Sequence, residues 1–173
     1  MTNVTFDATL YTINNWLILH LPSEVSEKLS SRGMLQVRIS IYNSEFLTAL
    51  EPDGNQGHWC QIPDSFADSS GLKEGDTILI AMEELSSWFE PEVPDDLLFA
   101  LHLEGLIPTW DSLTTKARWE WIRWIRFTNN PDTHNKRIST CCSMLLDGKR
   151  RPCCFDHSRC TITQVSKNGV LLY

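Results

Sequence analysis

The densest set of soft ligands in the chain is Cys154-x2-His157-x2-Cys160, with Cys153 beside it and Cys141-Cys142 shortly before. Thiolates and imidazoles are what zinc takes in a tetrahedral shell, so Cys153, Cys154, His157 and Cys160 are a candidate structural zinc site, or a redox-responsive group. A zinc ribbon brings two separated ligand pairs, whereas these four crowd one loop. Buried free cysteine is a common packing residue, so inert thiols are the competing reading, for Cys141 and Cys142 above all. A second group is the polar loop Pro52-Asp53-Gly54-Asn55-Gln56-Gly57-His58, which leads through Trp59 into a strand. Asp53 and His58 could form an acid/base pair. No nucleophile or second carboxylate pair accompanies them, so Pro52, Asp53, Gly54, Gly57 and His58 are expected to rim a ligand or partner site without catalysis. A third group is electrostatic: Arg118, Arg123, Arg126, Lys136, Arg137, Lys149, Arg150 and Arg151 are a candidate anion-binding face.

The charge supports that asymmetry. Residues 1–115 hold 18 acidic and 4 basic side chains, whereas 116–173 hold 4 acidic and 11 basic ones, within a formal net charge of -7. An acidic front half and a basic back half can dock on each other or solvate opposite faces, which competes with anion binding. At 173 residues and 42% hydrophobic composition the chain is a globular protein of one domain or two small units. No apolar run reaches the roughly 20 residues that span a bilayer, and residues 1–7 carry no export signal. A cytoplasmic location with mostly reduced thiols is therefore expected, with no cofactor unless zinc binds the tail.

Strands and short helices must position these groups. Thr5–Tyr11 and Trp16–Leu21 read as a hairpin turning at Asn14-Asn15, and Val37–Ile41 with Phe46–Leu50 as a second. After Pro22 a short helix begins, with Val25 and Leu29 four residues apart, and Gly33 closes it. The pattern then returns: a strand at 58–62, Pro63, a helical start at Asp64, Gly75-Asp76, and a strand at 77–82. A shift of 41 residues places Pro22 on Pro63, Val25 on Phe66, Val37 on Ile78 and Ile39 on Ile80. Such a repeat implies two similar halves that complete each other's sheet, closing a barrel without long unpaired edges.

Pro91 and Pro94 before Asp95-Asp96 mark a boundary. A helix over about 115–127 puts Ala117, Trp121, Trp124, Ile125 and Thr128 on one face and Arg118, Arg123 and Arg126 off it. Trp119 cannot share that face and serves as a partner-facing aromatic or a clamp. Asn130-Pro131 opens another helix to about Leu146, its buried stripe being Ile138, Cys141, Cys142, Leu145 and Leu146, with Gly148 beyond. Thr161–Val165 and Val170–Leu172 read as a final hairpin.

The stretch Gln61-Ile62-Pro63 through Gly71-Leu72-Lys73-Glu74-Gly75-Asp76-Thr77-Ile78 resembles the AbrB/MazE swapped-hairpin pattern, in which two half-barrels bind DNA. With both halves in one chain, it is similar instead to the monomeric double-split barrel that precedes the YdeI-like, OmpD-associated (bacteriocin-protection) helical domain. Pro91-Glu92-Val93-Pro94-Asp95-Asp96-Leu97-Leu98 resembles that family's linker. Trp124-Ile125, Arg137-Ile138 and Met144-Leu145-Leu146-Asp147-Gly148-Lys149-Arg150 are similar to its helical signature. The resemblance covers about residues 5–150. It implies an α+β protein: a double-split β-barrel of two pseudo-symmetric halves over 1–90, a helical unit over 91–148, and a cysteine-containing tail with a hairpin over 149–173. It also implies a bacterial, non-catalytic binding or interaction protein, loosely linked to stress or bacteriocin resistance, monomeric, with a protein or small-molecule partner. Two other readings compete. One is AbrB-like nucleic-acid binding through the basic helices, which the acidic residues after Pro22 and Pro63 oppose because DNA affinity comes mainly from phosphate neutralisation. The other is a zinc or redox response through the tail cysteines.

Overall fold

The computed structural model describes residues 2–153, 157–162, 166–167 and 170–171. The chain divides into two units, Met1–Ser87 with His157–Cys160 and Gln164–Tyr173, and Trp88–Asp156 with Thr161–Thr163. The architecture is α+β, a curled antiparallel sheet followed by a helical region.

The large sheet of the first unit contains seven strands: β1 (Asn3–Thr9), β2 (Tyr11–Ile13), β3 (Trp16–His20), β4 (Leu35–Ile41), β5 (Ser44–Pro52), β6 (His58–Gln61) and β7 (Thr77–Glu84). All neighbours are antiparallel, in the order β1-β7-β4-β5-β6-β3-β2. The end strands β1 and β2 are consecutive in sequence, separated by Leu10 alone. The sheet must therefore curl until its two ends come within one residue of each other. Leu10 is fully buried there, held by hydrogen bonds from its amide to Asp76 O and from the Gly75 amide to its carbonyl, each 2.9 Å. Among the described residues β1 and β2 do not pair, so the sheet is a curled half-barrel and not the edgeless barrel that the repeat implied.

The first hairpin also differs from expectation. Tyr11 faces Ile18 and Ile13 faces Trp16 across a two-residue turn in which Asn14 and Asn15 have φ of 50° and 64°. Asparagine tolerates that left-handed backbone, which makes the Asn-Asn pair a hairpin turn. Thr5–Thr9 instead belongs to β1 and pairs with β7, because buried Leu10 breaks the strand and lets its two pieces join opposite ends of the sheet.

Short helices α1 (Ser23–Ser26) and α2 (Asp64–Ser70) follow Pro22 and Pro63, whose extended backbones (ψ 146° and 135°) start each turn. The two copies of strand, proline, helix and strand pair with each other, β3 with β6 and β4 with β7. Leu19 faces Cys60 and Ser40 faces Ala81. In both pairs the residues are those that the 41-residue shift equates. The inward faces of the strands bring Phe6, Val37, Ile39, Ile41, Ile78, Ile80 and Met82 into one core, as period-two alternation requires, and Ile62, just after β6, and Phe66 of α2 join them.

The second unit contains α3 (Asp95–Leu103), α4 (Ile107–Asp111), α5 (Thr115–Arg126) and α6 (Pro131–Leu146). Thr114 caps α5 by accepting the Ala117 amide (3.2 Å), and Asn130 caps α6 by accepting that of Thr133 (3.0 Å). The core joins Leu97, Leu101, Trp110, Trp121, Ile125, Ile138, Cys141 and Leu145. Three expectations for the helix faces need correction. Arg123, placed off the buried stripe, is fully buried; Trp124 is half-buried; Leu146 is exposed, since it follows buried Leu145 directly and so turns about 100° away from the buried stripe. Trp119 acts as a clamp within its own unit, its Nε1 donating to Phe89 O (2.7 Å) and its ring lying against Trp88 and Phe89.

In the tail, β8 (Ser166–Lys167) pairs with β9 (Val170–Leu171). The strand expected at 161–165 is not seen at Thr161 and Ile162, and 163–165 lie outside the described residues. No helix among the described residues is long and apolar enough to cross a membrane.

Candidate functional site

The loop between β5 and β6 is built around one carboxylate. Asp53 is buried, and its Oδ1 accepts the backbone amides of Asn55 (2.7 Å) and Gly57 (2.8 Å). Its own amide donates to Gly57 O (3.0 Å), and its carbonyl accepts the Leu171 amide (2.9 Å). The reversal needs unusual backbone at two places, Gly54 (φ 82°) and Gln56 (φ 67°). Gly57 is required for space: a Cβ there would fall against Asp53 Oδ2 and lie 3.1 Å from its Cγ.

The partner of Asp53 is His20, at the end of β3. His20 Nε2 lies 2.8 Å from Asp53 Oδ2. Burial pushes the Asp53 carboxyl up, but the bonds from His20 and from the Asn55 and Gly57 amides outweigh it and leave the group below the ordinary carboxylate range. An ionised carboxylate only accepts, so Nε2 carries the proton and donates it. The pair opens on a cleft of about 320 Å³ lined also by Glu27, Arg32, Asn55 and Gln56, among others. Arg32 Nη1 donates to Gln56 O (3.0 Å), pinning the loop tip. The cleft therefore combines an oriented imidazole, a guanidinium and a carboxylate on a rigid loop, a set suited to holding a polar ligand by hydrogen bonds.

His58 does not join Asp53 in an acid/base pair. Its side chain is fully buried, and Nε2 lies 3.1 Å from Gly33 O, which fixes the proton on that nitrogen. Nδ1 has no hydrogen-bond partner among the described residues. Burial pushes the imidazole down, against the opposing pull of the Gly33 carbonyl and the Asp53 and Glu84 charges. Pro52 pairs with His58 at the end of β5, so of the expected rim residues Asp53 and Gly57 line the cleft, Gly54 turns the loop behind it, and Pro52 and His58 support it from within.

His20 is the residue that sequence reasoning missed. It lies 33 positions from Asp53, and only the antiparallel pairing of β3 with β6, which sets His20 opposite Trp59, brings it to the loop. The repeat held one signal: the position equivalent to His20 is Gln61, so the imidazole is peculiar to one half.

The arginines of the second unit are largely engaged in the fold. Arg118 donates from Nη1 to Leu113 O (2.5 Å) and binds Glu90 through Nε (3.0 Å) and Nη2 (2.5 Å). Those bonds from Arg118 hold the Glu90 carboxyl below its usual range. Arg137 Nη1 donates to Trp124 O (2.7 Å) and Phe127 O (3.2 Å), its guanidinium over both rings. Arg150 bonds Ser112 O and Arg151 pairs with Glu120 (3.3 Å). Guanidinium groups here satisfy the carbonyls left open at helix ends, a planar, permanently charged donor being suited to that task. Arg126 is half-buried and Arg123 has no exposure. Lys136 and Lys149 are exposed.

Of the tail ligands, Cys153 and His157 are exposed and Cys160 is buried, while Cys154 lies outside the described residues. Among the described residues no three His, Cys, Asp or Glu side chains gather around one point, and Cys60, Cys141, Cys142, Cys153 and Cys160 are free thiols. Burial pushes the Cys60 thiol up to about 12 and raises Cys141 and Cys142 as well.

Two family models match the chain. Residues 6–82 match a domain of unknown function (DUF1905), and residues 90–148 match the family described as bacteriocin-protection, YdeI or OmpD-associated (OmdA). No curated protein matches it. The curled sheet of the first unit thus carries the DUF1905 match and the four helices the other, so the chain joins a DUF1905 domain to an OmdA domain.

Proposed function

We propose that the chain is a non-catalytic binding protein that receives a small polar ligand in the cleft at Asp53. The observation that carries this reading is the over-determined Asp53 loop: a buried carboxylate held by three donors, which orients His20 at the mouth of an open, charged cleft. Residues fixed by so many bonds are preorganised, and preorganisation is what a binding site gains from. The raised Cys60, Cys141 and Cys142 thiols favour binding over thiol chemistry, since the thiolate is the nucleophile.

Within this reading the first unit is a double-split fold, two related halves sharing one curled sheet that stays open between β1 and β2. The pairing of equivalent residues, Leu19 with Cys60 and Ser40 with Ala81, supports two pseudo-symmetric halves in one chain and hence a monomer. The engaged arginines weigh against DNA binding in the AbrB manner, because a guanidinium held by helix-end carbonyls is poorly placed for phosphate. The link to bacteriocin protection rests on the description of the family matched at 90–148.

Amide chemical shifts, recorded while sugars, amino acids and small carboxylates are titrated one class at a time, test the site. The expected result is a ligand that moves the Asn55, Gln56 and Gly57 amides in the native protein and leaves them still in Arg32→Ala. Ligands that shift only residues away from this loop would overturn the assignment.

A further inference from the structure

Helix α3 buries less of its apolar surface than its composition calls for. Six of its nine residues are apolar, yet only Leu97 and Leu101, four apart on one stripe, are fully buried. Phe99 is 69% exposed and Leu103 73%, with Leu98 beside them at 36%. Residues four apart are neighbours on a helix surface, so Phe99 and Leu103 form a continuous patch. Leaving such side chains in water forgoes roughly 1.5–3 kcal/mol each. A surface helix in a small domain normally turns polar residues outward, and a helix apolar on both sides implies a second covering surface.

The formal charge along this stretch of chain is of one sign. Between Glu74 and Thr115 the chain carries no Lys or Arg, and Glu92, Asp95 and Glu104 are exposed before, on and after α3. Asp95 lies one helical turn before Phe99, and Glu104 follows Leu103 directly. His102 is the single imidazole on the helix. Part of the acidity serves the helix itself: Asp96 Oδ1 accepts the Leu97 amide (2.8 Å) and its Oδ2 lies 2.7 Å from His134 Nε2. Glu104, at the opposite end, has no such role in the helix dipole, because a carboxylate there faces the negative terminus.

We infer that the outward face of α3 is a docking surface for a basic amphipathic helix of a partner protein. Apolar residues of that partner at positions i and i+3 or i+4 would cover Phe99 and Leu103, and its Lys or Arg residues would meet Asp95 and Glu104, the helix-in-groove mode of recognition.

A synthetic Leu/Lys amphipathic peptide of roughly 18 residues, or five turns, is the probe, titrated by fluorescence anisotropy into the full chain. Binding is expected, weakened by salt, and reduced about tenfold or more by Phe99→Ser with Leu103→Ser, a loss typical of an interface anchor. Asp95→Lys with Glu104→Lys should reduce it as well, and the same peptide with Glu in place of Lys should not bind. Unchanged circular dichroism melts establish that these exposed substitutions leave the fold intact. Equal binding by the Phe99/Leu103 variant, or equal binding of the acidic peptide, would overturn the proposal. A wild-type dimer in sedimentation that the Phe99/Leu103 substitutions dissociate would also overturn it, making α3 a contact between copies of this chain.

Discussion

The two units handle charge in opposite ways. In the first, one carboxylate, Asp53, is surrounded by amides and an imidazole and set beside an open cleft. In the second, guanidinium groups from Arg118, Arg137 and Arg150 reach back to helix-end carbonyls and stay there. The basic back half of the sequence, which invites an anion-binding reading, largely serves to close its own backbone. The acidic front half carries the carboxylate that stands beside the open cleft. Net charge along a sequence therefore does not distinguish a contact surface from an internal brace; the partner of each charge does.

Substitutions can break that contrast, starting with the core that makes the helical braces possible. Trp121 is fully buried and its Nε1 donates to Arg150 O (3.0 Å). Trp121→Ala should cost about 3–5 kcal/mol, seen as a large shift of the denaturation midpoint. Arg118→Ala should cost about 1.5–3 kcal/mol, because it leaves the Leu113 carbonyl and Glu90 without their charged donor. Arg118→Lys should recover only part of that, since an ammonium lacks the fork. If Arg118→Ala leaves stability unchanged and instead weakens binding to a polyanion, the contrast between the units fails.

In the first unit, Asp53→Asn should cost about 1–3 kcal/mol at neutral pH by exchanging a carboxylate acceptor for an amide on a buried loop. The pH dependence sharpens the assignment. The folded-state pKa of Asp53 lies below its unfolded value, so its stability is present above the unfolded carboxyl pKa of about 4 and is lost as pH falls through the folded one. His58 is pushed down by burial, so its contribution is present above the unfolded imidazole pKa of about 6.5 and declines as pH drops further. Two steps are expected in stability against pH. His58→Gln should remove the upper step and Asp53→Asn the lower one; equal slopes in wild type and variants would contradict both assignments.

Smaller effects test the loop and the surface. Gln56 holds a positive φ where a side chain is strained, so Gln56→Gly should stabilise by up to about 1 kcal/mol while loosening the Arg32 anchor only slightly, its carbonyl being kept. Lys149→Ala, on an exposed residue, should stay within about 0.5 kcal/mol in thermal melts.

Much of this was legible from local pattern. The Asn14-Asn15 turn, the prolines that open α1 and α2, the Asn130 cap and the 41-residue repeat are written in residue types with strong backbone preferences. The repeat further implied that the two halves pair, and equivalent residues do face each other across both ladders. The division of Thr5–Tyr11 at Leu10 was not legible, because β-propensity is the same on both sides of the break and only the curl of the sheet separates β1 from β2. Nor was the partner of Asp53. His58, five residues away, was the nearer candidate, yet strand alternation turns it inward to Gly33 O while His20 arrives from another strand.

What the sequence by itself determined is the set of elements and their inward faces, because hydrophobic period, caps and turn residues act over a few positions. Tertiary structure decided which charges meet. Hydrogen-bond partners separated by 33 residues for His20 and Asp53, or by 28 for Arg118 and Glu90, depend on register and packing that no local pattern encodes. Electrostatic pairing is strong only at contact distance, so the same arginine is a brace or a binding group according to which backbone atoms the fold delivers to it.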